Sequence, residues 1–262
     1  MRSRDSSLIG ILERVDVILE VVAIEGPVTL SEITRLTELP RTTVHRLLEQ
    51  MIQQRWLLRI GNDYELGVRP FELGAVARQG HWFHRLVHPH LEELRARTRL
   101  LVHLAFLDGD STIWWDRIGE VPISLVPTGI GARTPAHRTA SGKALLSAEE
   151  DEFLDQHFPE QLAQVTAGTC NTREELSAQV HEVRNMGLAF DHGENVAELG
   201  CIAAPILVRQ SPTSDGHHTA ASVSVCGPLE RLDNDRRLSA ALFTCIAGVQ
   251  RDLARSPVAI DD

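Results

Sequence analysis

Residues 29–56, TLSEITRLTELPRTTVHRLLEQMIQQRW, constrain the fold of this chain more than any other stretch. Thr29 and Glu32 have the spacing of a capping box, in which the threonine hydroxyl accepts the backbone N–H three residues on and the glutamate reaches back. Ile33 and Leu36 then supply a small apolar face, and Leu39-Pro40 ends that helix. A second helix starts with Arg41, Thr42 and Thr43 and carries Val44, Leu47, Leu48, Met51 and Ile52 at helical spacing. Two short helices across a tight turn, the second opening on polar residues, predict a helix-turn-helix. Residues 57–60 and 64–66 flank Gly61-Asn62-Asp63, which predicts a hairpin placed as a wing. Upstream, Leu8, Ile11, Leu12, Val15, Ile18, Leu19 and Val22 form a helical stripe stopped by Gly26-Pro27, expected to pack on the other two helices.

In such a motif the first turn of the second helix faces base edges and the flanking turns face phosphates. Arg41, Thr42, Thr43, His45 and Arg46 are donors and small polar groups suited to both tasks. Arg59 and Asn62 in the hairpin are placed for the DNA backbone or minor groove. The net charge of −10 at first argues against a polyanionic partner. It is unevenly spread: residues 1–80 carry ten arginines against eleven acids, and the remainder sixteen basic against twenty-five acidic residues. Residues 41–59 hold four arginines and the single acid Glu49. A near-neutral module with one basic face, joined to an acidic domain, fits double-stranded DNA as the target.

At 262 residues the chain has room for one large domain or two small ones. No signal-peptide pattern opens it and no apolar run approaches the ~20 residues that span a bilayer, so a cytoplasmic protein without membrane contact is expected. Cys170, Cys201, Cys226 and Cys245 are widely spaced, with no CxxC pair, and are expected as free thiols. Residues 67–80 hold Pro70 and three glycines about a short helical pattern at 71–78, a connection between domains. Residues 81–98 are helical again, with Phe83, Leu86, Val87, Leu91 and Leu94 inward and Pro89 expected to kink or split the helix.

From residue 100 the period changes. Strands are predicted at 101–107 and 112–118 about Asp108-Gly109-Asp110, and a third at 123–126. Short helices at 139–146 and 148–156 follow, then a helix from Thr172 to about Met186 that Gly187 stops. Strands at 188–191, 202–208 and 220–225, a polar loop at 210–218 and a closing helix at 232–253 complete the order. Strands joined by hairpins, without regular intervening helices, predict an α+β domain with an antiparallel sheet. Such a sheet can hold a small-molecule pocket.

Over almost its whole length the chain resembles the IclR family of bacterial transcriptional regulators. The resemblance rests on LPRTTVHRLLEQM at 39–51, PAHRTASGKALL at 135–146, GLAFDHGENVAELGCIAAPI at 187–206 and SVSVCGPLERL at 222–232, in that order. It implies a winged helix-turn-helix over residues 1–67, a linker helix over 68–80, a GAF-like effector domain over 81–255 and a tail at 256–262. It also implies a repressor or activator, a homodimer or homotetramer on palindromic operators, with no catalytic residue and no cofactor. The implied effector is a small organic acid, aromatic ones included. Carried over by position, the effector pocket uses Thr139, Ala140 and Ser141 ahead of Gly142-Lys143-Ala144, where backbone N–H groups at a helix start suit a carboxylate. Asp191 and Cys201 match pocket positions in the third motif, and Ser224 and Cys226 in the last. Two departures bear on the ligand. The acidic run that often follows the Asp191 position is broken into His192-Gly193-Glu194, and Cys226 stands where a hydroxyl is often found, a thiol being the weaker donor.

Several residues admit a plainer role. Asp191 suits a turn that caps a backbone N–H, and Cys201 and Cys226 suit small buried hydrophobes. His81, His84 and His88 share a helix face at ligand-compatible spacing, but with no cysteine or acid at fixed spacing a helix surface is favoured over a metal site. His217 and His218 are expected in an exposed loop, and Trp114 and Trp115 on opposite faces of a strand. Two rival functions remain in view: an enzyme using Cys201 or His137, and a regulator responding to metal or redox state through the histidines or thiols.

Overall fold

The computed structural model describes residues 10–119, 126, 128–209, 217–232 and 236–256. The chain divides into two compact units at His81/Trp82. In the first, α1 (Ile11–Glu25), β1 (Val28–Thr29), α2 (Leu30–Thr37) and α3 (Arg41–Gln53) precede β2 (Leu57–Ile60), β3 (Asp63–Leu66) and α4 (Val68–Gly80). The capping box forms: the Thr29 hydroxyl accepts the Glu32 N–H at 3.3 Å, and the Glu32 carboxylate accepts the Thr29 N–H at 2.8 Å. Those hydrogen bonds from Thr29 hold the Glu32 carboxyl below its usual range. Ile18, Ile33, Val44, Leu47 and Leu48 meet in the core with Leu57 and Tyr64 of the wing. Each such fully buried aliphatic side chain contributes about 1.5–3 kcal/mol over an exposed one.

Three details depart from expectation. Val28 and Thr29 form a strand that joins the hairpin in the order β1-β3-β2, so the residue capping α2 also pairs with Asp63. Leu36 is exposed on α2, leaving Ile33 as its buried residue. Ile11 and Leu12 are exposed, and α1 buries only its later positions Ile18 and Val22.

The second unit is a six-stranded antiparallel sheet flanked by helices. Its strands β4 (Leu101–Asp108), β5 (Ser111–Ile118), β6 (Arg133–Pro135), β7 (Ala189–His192), β8 (Leu199–Arg209) and β9 (His217–Pro228) lie in the order β6-β5-β4-β9-β8-β7. On one face α5 (Trp82–Thr98) and the closing α10 (Arg236–Arg255) bury Val87, Leu91, Leu242 and Val249 against Leu104, Ile206 and Val223. On the other lies α6 (Ala140–Leu146), buried at every residue, with α7 (Asp151–His157) and α8 (Arg173–Met186) beyond it. Gly142 permits that depth, since a Cβ there would sit 2.2 Å from the Ala136 carbonyl oxygen. Gly187 ends α8 in the left-handed conformation at φ 71°, which a side chain would disfavour.

Helix α5 is not split: it runs through Pro89, and buried Phe83, Val87, Leu91 and Leu94 on both sides of the proline hold it to the sheet. The closing helix expected at 232–253 is present as α10, and a short α9 (Leu229–Leu232) precedes it. His217 and His218 belong to β9, paired with Arg209 and Val208, rather than to a loop. The strand expected at 123–126 lies, apart from Val126, outside the described residues, as does most of the 210–218 loop. Strand β6 was not expected; three residues show too little alternation to be seen without their partner β5.

Candidate functional site

Helix α3 uses one side for the core and leaves the other to solvent. Burying Val44, Leu47, Leu48 and Met51 turns Arg41, Thr42, His45 and Arg46 outward, with Thr43 half-buried beside them. The Arg41 guanidinium donates to the Ser31 hydroxyl at 3.1 Å, tying the start of α3 to α2. In the wing, Arg59 lies over the Tyr64 ring at 5.6 Å and donates its Nε–H to the Gly61 carbonyl at 2.9 Å, while Asn62 is exposed at the tip. All seven predicted contact residues are therefore in one unit, five on the outer side of α3 and two on the wing.

A cavity lies in the second unit between the sheet and the start of α6. Thr139, Ala140, Ser141, Asp191, Cys201 and Cys226 all line it, together with His103, Trp114, Val126, Thr128, Asn195, Val196 and Leu199. The cavity is narrow, about 20 Å³, which is room for about one water-sized sphere. Ser224 is not among its walls; it is fully buried in β9 between His103 and Ala203. In a wider, open depression between α7 and α8, Arg173 pairs with Asp155 at 3.2 Å and Asp151 with Arg184 at 2.6 Å.

Within the cavity several side chains carry a structural duty as well. The Thr139 hydroxyl accepts the Gly142 N–H at 2.9 Å and so caps α6. Asp191 accepts the Glu194 N–H at 2.6 Å, the turn-capping role that its position allowed. Burial pushes the Asp191 carboxyl up to about 7, with the nearby Glu194 charge adding and the backbone N–H and Lys143 opposing. The Ser141 hydroxyl is buried and has no hydrogen-bond partner among the described residues. His103 was not anticipated. It alternates inward on β4, meets the Thr128 hydroxyl at 2.7 Å and packs on Trp114 at 4.8 Å, and burial pushes its pKa down to about 3. A polar residue at an inward position of an apolar strand was the available signal.

Beside the cavity, Lys143 donates to Glu194 at 2.7 Å and to Gln179 at 3.1 Å, and both members of the ion pair are buried. The break in the acidic run after Asp191 thus places Glu194 on the helix lysine. Cys201 and Cys226 correct the expectation of free thiols. They are register partners on β8 and β9, 4.3 Å apart at Cα, and are joined in a disulfide. Twenty-five residues of sequence separate them, so only the strand register reveals the pairing. They present a disulfide wall to the cavity rather than thiol donors. Cys170 and Cys245 are free and buried. The enzyme reading loses both of its groups here: Cys201 is bonded to sulfur, and His137 gives its Nε2 to the Ala163 carbonyl at 3.0 Å, outside the cavity.

An outward-facing recognition helix with a wing, followed by an α+β unit with a buried polar cavity, defines a DNA-binding regulator with a sensory domain. Comparison with known proteins gives the family. Residues 79–251 match the family described as bacterial transcriptional regulator IclR C-terminal, and residues 12–60 match the IclR helix-turn-helix domain. The chain belongs to the IclR family of bacterial transcriptional regulators. It is 30% identical over 223 residues to the HTH-type transcriptional regulator KdgR of Dickeya chrysanthemi, covering 84% of this chain and 71% of that one. It is 29% identical to the transcriptional repressor IclR of Escherichia coli K12 over 217 residues, 80% of this chain and 77% of the other. Among solved structures, an IclR homolog from Microbacterium hydrocarbonoxydans complexed with 4-hydroxybenzoate superposes with a TM-score of 0.75. That pair is 26% identical over 94% of this chain and 100% of the other. No helix among the described residues is long and apolar enough to cross a membrane.

Proposed function

We propose that this regulator is a cytoplasmic homo-oligomer, without enzymatic activity, whose DNA affinity is set by a small organic acid bound in the cavity of its second unit. The carrying observation is the buried, unpartnered Ser141 hydroxyl in a cavity wall that also holds Thr139, Asp191 and His103. A buried donor left unsatisfied costs about 1–3 kcal/mol, and a ligand carboxylate or hydroxyl that accepts from it recovers that. The 4-hydroxybenzoate complex of the Microbacterium protein supports an aromatic acid as one such ligand. Arg41, Thr42, Thr43, His45 and Arg46 read a half-site in the major groove, and Arg59 and Asn62 hold the backbone or minor groove. Residues 68–80 serve as the linker between a DNA-binding domain at 1–67 and an effector domain at 81–255. Exposed Phe71 and Val76 on α4, with Ile11 and Leu12 on α1, are apolar groups that a second copy would cover.

The test is binding of purified protein to DNA from its own upstream region, titrated with salt and repeated with aromatic and short-chain carboxylic acids. Selective, salt-sensitive binding that one acid shifts is the expected result. Selective binding that no acid shifts would overturn the effector assignment and leave the DNA assignment intact. The disulfide supports a second reading, a response to redox state, because its reduction would release two thiols in the cavity wall. Unchanged operator affinity and unchanged acid response after dithiothreitol treatment would rule it out.

A further inference from the structure

The face of the sheet opposite the cavity carries another polar cluster. His84 and His88 stand one turn apart on α5, and Asp116 reaches them from β5. The Asp116 Oδ2 lies 2.7 Å from His84 Nε2 and 2.8 Å from His88 Nδ1. A bulge in the ladder brings the carboxylate there. Leu104 pairs with Asp116 and Ala105 with Trp114, so Trp115 is the extra residue and both it and Asp116 turn toward α5. Spacing along the chain could show the two histidines but not this third group, which follows only from the register of β4 on β5.

We propose that His84, His88 and Asp116 bind one divalent transition-metal ion of the zinc class. The three donor atoms lie within 4.8 Å of one another. An ion about 2.0–2.1 Å from each needs ligand atoms about 3.3 Å apart, so the two N···O separations open by about half an ångström. Two imidazoles and one carboxylate favour zinc, cobalt, nickel or ferrous iron over magnesium or calcium, which prefer all-oxygen shells. The supporting contacts already orient the donors. The Arg117 backbone N–H donates to Asp116 Oδ1 at 2.9 Å, which leaves Oδ2 for the metal. His88 offers Nδ1 to the site while its Nε2 faces Glu92 at 3.6 Å, the arrangement in which a carboxylate steadies a ligating imidazole from behind. Burial works in the same direction. The Asp116 carboxylate is 3% exposed and the His84 side chain 13%, whereas His88 is 40% exposed, so an ion enters past His88 and keeps a solvent-facing coordination position. A dication compensates a buried carboxylate more fully than hydrogen bonds from two imidazole rings do. Once bound, it pins the first helix of this unit to the second strand of its sheet.

The experiment uses the full chain, free of any affinity tag and stripped with a chelator, titrated with Zn²⁺ against a competing indicator and with Co²⁺ followed by visible absorption. One ion per chain is expected, with a rise in melting temperature on Zn²⁺ addition. Asp116→Asn and His88→Gln should each weaken Zn²⁺ at least tenfold and cancel the rise, while His157→Gln on the distant α7 changes neither. His88→Gln is the safer variant because its side chain is half-exposed and a glutamine amide can still donate to Asp116. No binding at 100 µM Zn²⁺, or binding that both variants leave unchanged, overturns the site and directs attention to the free thiols of Cys170 and Cys245.

Discussion

The outer side of α3 and the wall of the cavity are both polar, but they are built on opposite terms. On α3 the polar groups are exposed, and among the described residues His45 and Arg46 have no hydrogen-bond or ion-pair partner. Nothing in the fold depends on them. In and beside the cavity Thr139, Asp191, Lys143 and Glu194 are buried, and each holds a piece of local structure. His45 and Arg46 can change without cost to the fold, whereas Thr139, Asp191, Lys143 and Glu194 cannot change without disturbing the helix, turn or ion pair they support. A substitution at His45 or Arg46 should therefore move DNA affinity alone, and one at Thr139 or Asp191 should move stability and ligand response together.

The largest effect expected is at the buried ion pair. Lys143→Ala leaves Glu194 buried and unpaired, and unfolding in urea should show a loss of about 3–5 kcal/mol. A Lys143→Met, Glu194→Leu double substitution should recover most of it, because the charge and its partner leave together. Near-equal stability of Lys143→Ala and the parent chain would break the comparison at its stronger end. On the other surface, Arg46→Ala should weaken operator binding by about 1–3 kcal/mol if it reads a base, or lower the salt slope by about one if it holds a phosphate. Its melting temperature should stay that of the parent. A shifted melting temperature would show that α3 is not free of structural duty.

Acidity sharpens the contrast within the cavity itself. Between pH 3.8 and about 7 the folded chain keeps a proton on Asp191 that the unfolded chain has released, so this group's contribution to stability falls as pH rises. Between pH 3 and 6.5 the unfolded chain takes a proton that folded His103 refuses, so its contribution rises with pH. Across the overlap the two oppose each other. Asp191→Asn should therefore tilt the stability profile upward with pH, and His103→Gln should tilt it downward, each by up to ~1.4 kcal/mol per pH unit. Parallel profiles for both variants and the parent would refute the burial assigned to these groups. Smallest is the cap: Thr29→Ala should cost about 1 kcal/mol in thermal unfolding, since Thr29 closes α2 from a position that also lies in β1.

Local chemistry explains which parts were legible in the sequence. The capping box at Thr29, the apolar spacing of α3, the turn at Gly61 and the stop at Gly187 depend on neighbours within a few residues, and each forms where its signal lies. The departures all depend on distant partners. Val28 becomes a strand because Tyr64 pairs with it, and α5 survives Pro89 because the sheet holds both its halves. Cys201 finds Cys226 through the β8–β9 register, and Asp116 finds His84 and His88 through a bulge. The cavity was legible only through the family resemblance. Its motif positions, Ser224 excepted, line it, but His103 and Thr128, which lie outside those motifs, share the same wall.

Lys143 is the only lysine in 262 residues, and its ammonium is buried against Glu194 and Gln179. In the folded state the one lysine amine is therefore closed to acylating reagents. Cross-linkers that join lysines between subunits will return a monomer band whatever the true assembly. The same scarcity makes the chain its own reporter: a label that appears on Lys143 records an opening of the helix behind the cavity. The rate of that labelling, with and without an added acid, would time the motion of the cavity wall without any engineered probe.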